Sequence, residues 1–465
     1  MLERARDLLS TGPLCDPCLG RPFADRSFGL TNRERGDALR VAVAMADDED
    51  YEPPESEDCW VCEGVCAEHD AWAERVVDTL EGFEFSTYQV GTHVPPLVEE
   101  NDRLLREEAG LGPEAGEQFK KAFNREVGKR VGRLTGTEVD LERPDVLAVC
   151  HVERESVERQ VNPAFVYGRY RKLERDVPQT EWPCRECGAT GEQLGDEGAE
   201  DCEHCGGTGY MYPTSVEEEI APHVREAMDG AEATFHGAGR EDVDARTLGT
   251  GRPFVVEVTE PRVRRPDVAA LAERIAAEAE GVAADGLRLA TYEAVERVKE
   301  LPASKTYRVS VRLAAPVAAA DLHGALADLH GAEIAQRTPA RVDHRRADRT
   351  RTRGVYGVDG RLVSPPGAGD PLAPWVDGTG LDPASGPAVD PPGPAEGEHA
   401  LVEVHGEGGL YVKELVSGDG GRTEPSLAGL LSVDADVTAL DVLAVEGEAE
   451  PFEDPDYFLE DPASA

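Results

Sequence analysis

Eight of the ten cysteines fall into four C-x-x-C pairs, and this spacing constrains the fold more than any other feature of the chain. The pairs are Cys15/Cys18 in LCDPCLGR, Cys59/Cys62 in DCWVCEGV, Cys184/Cys187 in CRECGATG and Cys202/Cys205 in CEHCGGTG. Two thiolates three positions apart can share one tetrahedral ion across a tight turn. The opening residues, MLERARDLLS, lack the apolar run and cleavage site of a secretory signal. A cytoplasmic location is therefore expected, and disulfides are not the default there. Cys184, Cys187, Cys202 and Cys205, with 14 residues between the pairs, predict one structural zinc site. Cys15, Cys18, Cys59 and Cys62 predict a second across 40 residues, with Cys66 able to replace one of the 59/62 pair. Four thiolates leave zinc no open position, so the expected role is structural.

At 465 residues the chain should hold two or three domains. No segment approaches the ~18 consecutive apolar residues of a membrane span. There are 93 acidic residues against 48 basic, a formal net charge of −45. The acids are spread through periodic segments that also carry apolar residues, which argues against a disordered acidic tail. They suit a folded protein that stays hydrated in concentrated salt, where self-repulsion is screened. Read this way, the charge does not exclude RNA as a ligand.

Thr31 followed by Glu34 predicts a capping box opening a helix over TNRERGDALRVAVAM. The run 47–58 is an acidic loop. GFEFSTYQVGTHV reads as a strand pair, EQFKKAFNREVGKRVGRL (117–134) as a basic amphipathic helix, and DVLAVCHVE as a buried strand. Ser215 should cap the helix in SVEEEIAPHVREAMDG. From 231 to 362, strands (TFHGAGR, PFVVEVTEP, TYRVSVRL) alternate with helices (RPDVAALAERIAAEAEG and roughly 317–330), an α+β pattern with mainly antiparallel sheet. The stretch 365–398, dense in Pro, Gly and Asp, reads as a disordered insertion. The expected domains are a cysteine-pair segment at 1–75, an accessory region at 76–215 holding the second cysteine cluster, and a C-terminal domain at 216–465.

Four segments bear chemistry. GAGREDVDARTLGTGRPF (237–254) sets glycines on both sides of a charged core. It is either a surface turn rich in ion pairs, which composition alone favours, or a carboxylate held beside Arg240 and Arg246 in a polynucleotide cleft. In KTYRVSVRL (305–313), alternation puts Tyr307, Val309 and Val311 on one strand face. Tyr307 is then a core tyrosine, or a ring at the strand's edge offered to a base. ARVDHRRADRTRTR (340–353) contains six arginines, anomalous in so acidic a chain and suited to bidentate phosphate contact. EGGLYVKELVSGDGGRTEPSLAGLL (407–431) runs from a strand through a glycine turn, with Tyr411 and Lys413 on one face and Val412 on the other.

Together these segments resemble the archaeal and eukaryotic family of tRNA pseudouridine-54/55 synthases over nearly the whole chain. The resemblance lies in LCDPCLGR and CWVCEGV, in a region from about 76 to 215 similar to THUMP-related RNA-binding domains, and in GREDVDARTLGTGRPF, KTYRVSV, RVDHRRAD and GGLYVKELVSGDGGRTEPSL in the family's order. It implies a pseudouridine synthase fold in the C-terminal half behind a zinc-containing, THUMP-like N-terminal region. It implies an isomerase acting on uridine 54, 55 or both in the T-loop of tRNA. It further implies no redox or organic cofactor, tRNA bound through its T-arm, no membrane and no obligatory protein partner. By position, Asp242 matches the nucleophile, with Asp244 its rival, and Lys413 the cation that pairs with it. Tyr307 and Tyr411 match substrate-contacting positions, and Arg240, Arg345 and Arg346 are the expected RNA-binding arginines. The 365–398 insertion and the acidic surface depart from the family pattern.

Two rival readings share some of these residues. A zinc-stabilised RNA-binding or RNA-chaperone protein needs the cysteine knuckles and arginines but not Asp242. A protein co-chaperone would share the C-x-x-C-x-G-x-G knuckle, yet only CEHCGGTG fits it, since CRECGATG misses a glycine.

Overall fold

The computed structural model describes residues 1–113, 115–195, 198–343, 347–387 and 393–460, with Ser56 described by its backbone alone. The chain forms two compact units: Met1–Pro163 with Thr259–Arg264, and Ala164–Val258 with Arg265–Ala465.

In the first unit the cysteine-bearing helix Asp16–Gly20 lies backbone to backbone on helix Asn32–Asp47. A β-carbon on Gly20 would sit 1.9 Å from the Asn32 carbonyl oxygen, and one on Gly36 1.9 Å from that of Asp16. Only glycine permits that approach. The second helix starts at the expected capping box, Thr31 with Glu34. Strands β1 (Thr87–His93), β2 (Glu138–Val139), β3 (Val146–His151) and β4 (Ser156–Val161) form a sheet in the order β2-β1-β3-β4. Strand β1 is parallel to β2 and β3, and β4 is antiparallel to β3. Helices His69–Thr79 and Phe119–Thr135 bury Trp72, Phe123 and Val131 in one core with Tyr88, Val146 and Ala148 of the sheet. GFEFSTYQVGTHV holds one strand, not the expected pair: Gly82 takes φ +81°, and the Glu84 N–H donates to the Arg262 carbonyl rather than to a ladder.

In the second unit the strands are β5 (Ala164–Lys172), β6 (Glu192–Gly195), β7 (Gly198–Asp201), β8 (Ala233–Gly237), β9 (Arg246–Val258), β10 (Val282–Ala290), β11 (Ala303–Ala318), β12 (Glu333–Arg337), β13 (Thr350–Leu362), β14 (Glu396–Gly406), β15 (Thr423–Glu424) and β16 (Ala435–Gly447). Strands β6 and β7 form a small hairpin. The remainder make a ten-stranded sheet, β10-β5-β9-β16-β11-β14-β13-β12-β15 with β8 on β9. Among the described residues every pairing in it is antiparallel except β9 with β16, which agrees with the expected mixed, mainly antiparallel sheet. Strand β11 is central, with Tyr307 opposite Val404 of β14 and Val442 of β16. Helix Ala319–Leu329 buries Leu322, Ala325, Leu326 and Leu329, the i, i+3, i+4, i+7 stripe of an amphipathic helix.

Four expectations differ from the structure. The boundary expected at 215/216 falls at 163/164, so the second cysteine cluster belongs to the second unit. The reason is β5: its aromatic and basic residues resemble an RNA-facing surface, but β5 pairs with β9 and β10, and Tyr170 and Lys172 are fully buried. The chain does not divide at 75 either, because helix His69–Thr79 runs through that point. The described part of the 365–398 insertion is packed, not loose. Leu372 is fully buried, Asp370 pairs with Arg175 (2.9 Å) and Arg246 (3.2 Å), Arg308 donates to the Trp375 carbonyl, and the Thr379 hydroxyl donates to Glu403 at 2.7 Å. Finally, LYVKELV is not a strand. Val412–Ser417 is a helix, since Val412, Leu415 and Val416 follow helical and not strand spacing into the core. Among the described residues no helix is long and apolar enough to cross a membrane.

Leu326 has no exposed surface in the core of the second unit. Leu326→Ala is expected to cost about 2–5 kcal/mol, through lost transfer energy and a residual cavity, read as a lower urea midpoint at unchanged slope.

Candidate active site and cysteine clusters

The loop between β8 and β9 carries Arg240 to Ala245, and buried groups hold it from below. Lys172 donates to the carbonyls of Val177 (2.7 Å) and Val243 (2.9 Å). Burial pushes the Lys172 ammonium down to about 8, with Glu241 opposing that shift. Arg175 donates to the Asp244 carbonyl (2.9 Å) and pairs with Asp441 (2.9 Å). Arg246 grips the same Asp441 carboxylate at 3.0 and 2.7 Å across the parallel β9–β16 pair. Glu241 turns inward: its side chain is 2% exposed, 2.9 Å from Arg252 Nε, and accepts from the Tyr170 hydroxyl at 2.8 Å. With Glu241 and the backbone of 243 and 244 fixed, the Asp242 side chain projects outward.

Asp242 opens into a cavity of about 330 Å³ together with Arg240, Tyr307, Arg341, Tyr411 and Lys413. Lys413 Nζ lies 3.1 Å from the Asp242 carboxylate and 3.0 Å from Asp244, and an Arg341 nitrogen lies 3.5 Å from Asp242. The Asp242 side chain is 45% exposed, so each such pair contributes only about 0–1 kcal/mol to stability. Their effect is positional: an accessible carboxylate is held between two cations. Arg341 is itself fixed by Glu414 at 2.7 Å. The main chain of Tyr411, at the start of helix Val412–Ser417, is clamped on both sides by Gln336, at 2.9 and 3.0 Å. Burial raises the Tyr307 phenol to about 12, Arg252 opposing and Asp242 adding to the shift, so the ring is neutral at ordinary pH. Burial and the charge of Arg252 lower the Lys305 ammonium, on the same wall, to about 8.

Five residues expected at the site thus line one cavity: Asp242, Lys413, Tyr307, Tyr411 and Arg240. The Arg240 guanidinium lies 4.8 Å over the Trp182 ring. Tyr307 reaches the cavity from a central strand, not from an edge. Arg246 does not face Asp242, because Asp441 and Asp370 claim it. Arg345 and Arg346 lie outside the described residues. The sequence reading missed Glu241, Arg252 and Lys172 beneath the loop, and Lys305 and Arg341 beside it. The available signal was alternation in GRYRK, which sets Tyr170 and Lys172 on one face of β5 with charge pointing into a sheet.

The ligand atoms in each of two cysteine groups lie within 4.8 Å of one another: Cys15, Cys18, Cys62 and Cys66, and Cys184, Cys187, Cys202 and Cys205. Sulfur–sulfur distances are 3.7 Å (Cys15–Cys62), 3.9 Å (Cys18–Cys66), 3.9 Å (Cys184–Cys202) and 3.8 Å (Cys187–Cys205). Four sulfurs ~2.3 Å from one tetrahedral ion stand ~3.8 Å apart, whereas a disulfide needs ~2.05 Å. Both groups therefore fit a closed thiolate site. In the first group Cys66 replaces the expected Cys59, which is buried beside Cys15 and Cys18. Positive φ at Glu63 and Gly64, followed by the 3₁₀ turn Val65–Ala67, brings Cys66 round to the Cys62 side. The buried Arg21 donates to Cys18 Sγ at 3.1 Å and to Asp102 at 2.6 Å, offsetting part of the thiolate charge. In the second group the Gly209 N–H donates to Cys205 Sγ at 3.2 Å.

The family model "Pus10, C-terminal" matches residues 165–366 and 393–446, and "Pus10 THUMP domain, archaeal" matches 72–151. A curated tRNA pseudouridine synthase Pus10 of Halorubrum lacusprofundi is 58% identical over 99% of this chain and 100% of its own length. Its counterpart in Methanothrix thermoacetophila is 40% identical over 96% and 95%. Among solved structures, a Cbf5-Nop10-Gar1 complex aligns over 50% of this chain and 46% of its own at 18% identity, with a TM-score of 0.28 too low to carry an argument.

Elemental analysis should find one metal ion for each of the two cysteine groups. Cys66→Ser and Cys187→Ser should each lose one ion, and Cys59→Ser should keep both. A full complement in Cys66→Ser would return Cys59 to the ligand set.

Proposed function

This chain belongs to the Pus10 family, and on that premise we propose that it is a tRNA pseudouridine synthase that isomerises uridine 54, 55 or both in the T-loop. The observation that carries this reading is the Asp242 carboxylate, accessible and 3.1 Å from Lys413 in a cavity walled by Tyr307 and Tyr411. Isomerisation breaks the N1–C1′ bond of uridine, turns the uracil and rejoins it through C5. No electrons leave the substrate, so the chemistry calls for a nucleophile and a shaped pocket. Asp242 attacks the ribose at C1′ and the uracil leaves with the N1 bonding pair. After the ring turns, C5 bonds C1′ as the aspartate departs; C5 then loses its hydrogen to solvent as a proton and N1 takes one up, so the product is an isomer of the substrate. Lys413 and Arg341 orient the attacking carboxylate. The target must leave the base stack, and the neutral Tyr307 ring offers the flipped base a stacking face, worth ~1–3 kcal/mol. Arg240, Arg351 and Arg353, together with Arg345 and Arg346, hold the phosphates of the T-arm. Both cysteine groups hold structural zinc, which would anchor the loops that carry them and leave no coordination position for substrate.

Asp242→Asn should abolish tritium release from C5-labelled uridine in tRNA while leaving tRNA affinity nearly unchanged. Equal release by the variant would sink the assignment, and mapping the modified positions on a transcript decides between 54 and 55. The low Lys305 value adds a pH test. As pH rises through about 8 this ammonium loses its charge, so tRNA affinity should fall over that range. Lys305→Met should be weaker at pH 7 and lack that step, as titrated by fluorescence anisotropy.

A further inference from the structure

Five ionisable side chains lie side by side across five adjacent strands of the large sheet. Arg246 of β9 is beside Asp441 of β16, Asp441 beside Arg308 of β11, Arg308 beside Glu403 of β14, and Glu403 beside Asp359 of β13. All five are buried. Buried charges are costly unless paired and hydrogen-bonded, so the row needs a cover that also satisfies it. The segment from Asp370 to Asp382 does both, crossing the strands as a strap and meeting four of the five. The Asp370 carboxylate lies 3.2 Å from Arg246, and the Trp375 carbonyl accepts from Arg308. The Thr379 hydroxyl donates to Glu403 at 2.7 Å, and the Asp382 N–H donates to Asp359 at 3.0 Å. This strap lies within the stretch that the family model passes over.

The near end of the strap reaches the loop that bears Asp242. Asp370, Arg175, Asp441 and Arg246 form a closed ring of ion pairs, at 2.9, 2.9, 2.7 and 3.2 Å in that order around it. One terminal nitrogen of Arg175 sits between the two carboxylates, while the other donates to the carbonyls of Asp244 and Leu440, each at 2.9 Å. A guanidinium is planar and rigid, so fixing one nitrogen aims the other. Without Asp370 the two arginines would share the single carboxylate of Asp441. Among the described residues no part of the strap lines the Asp242 cavity. Arg308, which the strap covers, and Tyr307, which walls the cavity, are consecutive on β11 and point to opposite faces. Resting on the synthase reading above, we propose that Asp370 is a positioning residue for Asp242. It acts from the far face of the sheet, through Arg175 on the Asp244 carbonyl, and does not touch the substrate. A misplacement of ~1 Å can cost ~10²-fold in rate. Arg175 keeps Asp441 when Asp370 is lost, so the expected loss is partial, about tenfold, where loss of Asp242 itself abolishes turnover.

Three variants of the full-length protein test this. Asp370→Asn keeps the shape and removes the charge, and Asp370→Glu keeps the charge. Thr379→Val loosens the strap at Glu403 and leaves the ring of ion pairs alone. Thermal unfolding and metal content verify that each is folded. Single-turnover tritium release at saturating enzyme reads the chemistry, fluorescence anisotropy reads tRNA affinity, and hydrogen exchange of the peptide over 240–246 reads the order of the loop. Asp370→Asn should slow release about tenfold at a tRNA affinity within about twofold of wild type. Its loop should exchange at least about threefold faster. Asp370→Glu should recover the rate to within about threefold of wild type. Thr379→Val should keep rate and loop exchange within about twofold, even where it lowers the unfolding temperature. In an Arg175→Gln background, Asp370→Asn should cost less than about twofold more, because the path through Arg175 is already cut. An unchanged rate in Asp370→Asn overturns the proposal. So does a tenfold slower Thr379→Val, which would make the strap's contribution one of general stability, and so does weakened tRNA binding at full saturating rate, which would make it an RNA contact. Should Asp370→Asn fail to fold, Arg175→Gln alone must give slow release at unchanged affinity, and a full rate there overturns the proposal equally. A wild type without tritium release would defeat the synthase reading, and loop exchange would still decide whether Asp370 orders the Asp242 loop.

Discussion

The outward position of Asp242 depends on what its neighbours do beneath it. Glu241 is buried against Arg252 and Tyr170, and the carbonyls of Val243 and Asp244 are held by Lys172 and Arg175. Breaking a buried ion pair by removing one partner costs about 3–5 kcal/mol, because the surviving charge stays buried without compensation. An exposed pair such as Asp242–Lys413 contributes about 0–1 kcal/mol. Rigidity at the site therefore comes from below the loop, while the charges inside the cavity remain available to a ligand. The parallel β9–β16 pair continues this design, because the Arg246–Asp441 fork fixes the point where the loop enters β9.

The insertion contributes to the same network. The family model passes over residues 367–392, yet Asp370 within that gap pairs with both Arg175 and Arg246. Arg175 is the residue that holds the Asp244 carbonyl. A segment whose composition suggests no structure is thus tied, through two cations, to the loop that bears the candidate nucleophile.

With a metal ion bound, the cysteine groups would do for loops what a core does for helices. Residues 184–209 contain a four-residue hairpin pair and several turns but little apolar surface, and Leu194 is 95% exposed. The four cysteines converge as a metal site would require, and a metal ion bound there would supply the cross-link that such a segment needs in place of a hydrophobic core. In the first unit the thiolates sit inside the core, with Cys15, Cys18 and Cys62 packed among its apolar side chains and the buried Arg21 beside them.

Local signals settled much of this protein in advance, because they act over a few residues. The capping box at Thr31, the Ser215 cap, the stripe on helix Ala319–Leu329 and three of the four C-x-x-C pairs are short-range features, and each appears where the residues imply. Several motifs in family order also marked Asp242, Lys413, Tyr307 and Tyr411, which line one cavity. What remained hidden was long-range. Strand β5 carries aromatic and basic residues, and only its place in the sheet between β9 and β10, with Tyr170 and Lys172 buried, shows that they face the interior. Cys66 joins Cys15, Cys18 and Cys62 only once the turn at 63–67 is closed, and Asp370 in the insertion is paired with cations more than a hundred residues away. Residue type and spacing determine what a segment can form and what chemistry it can offer. Burial and charge pairing are properties of the assembled chain, so only the tertiary fold decided which charges stay free to act.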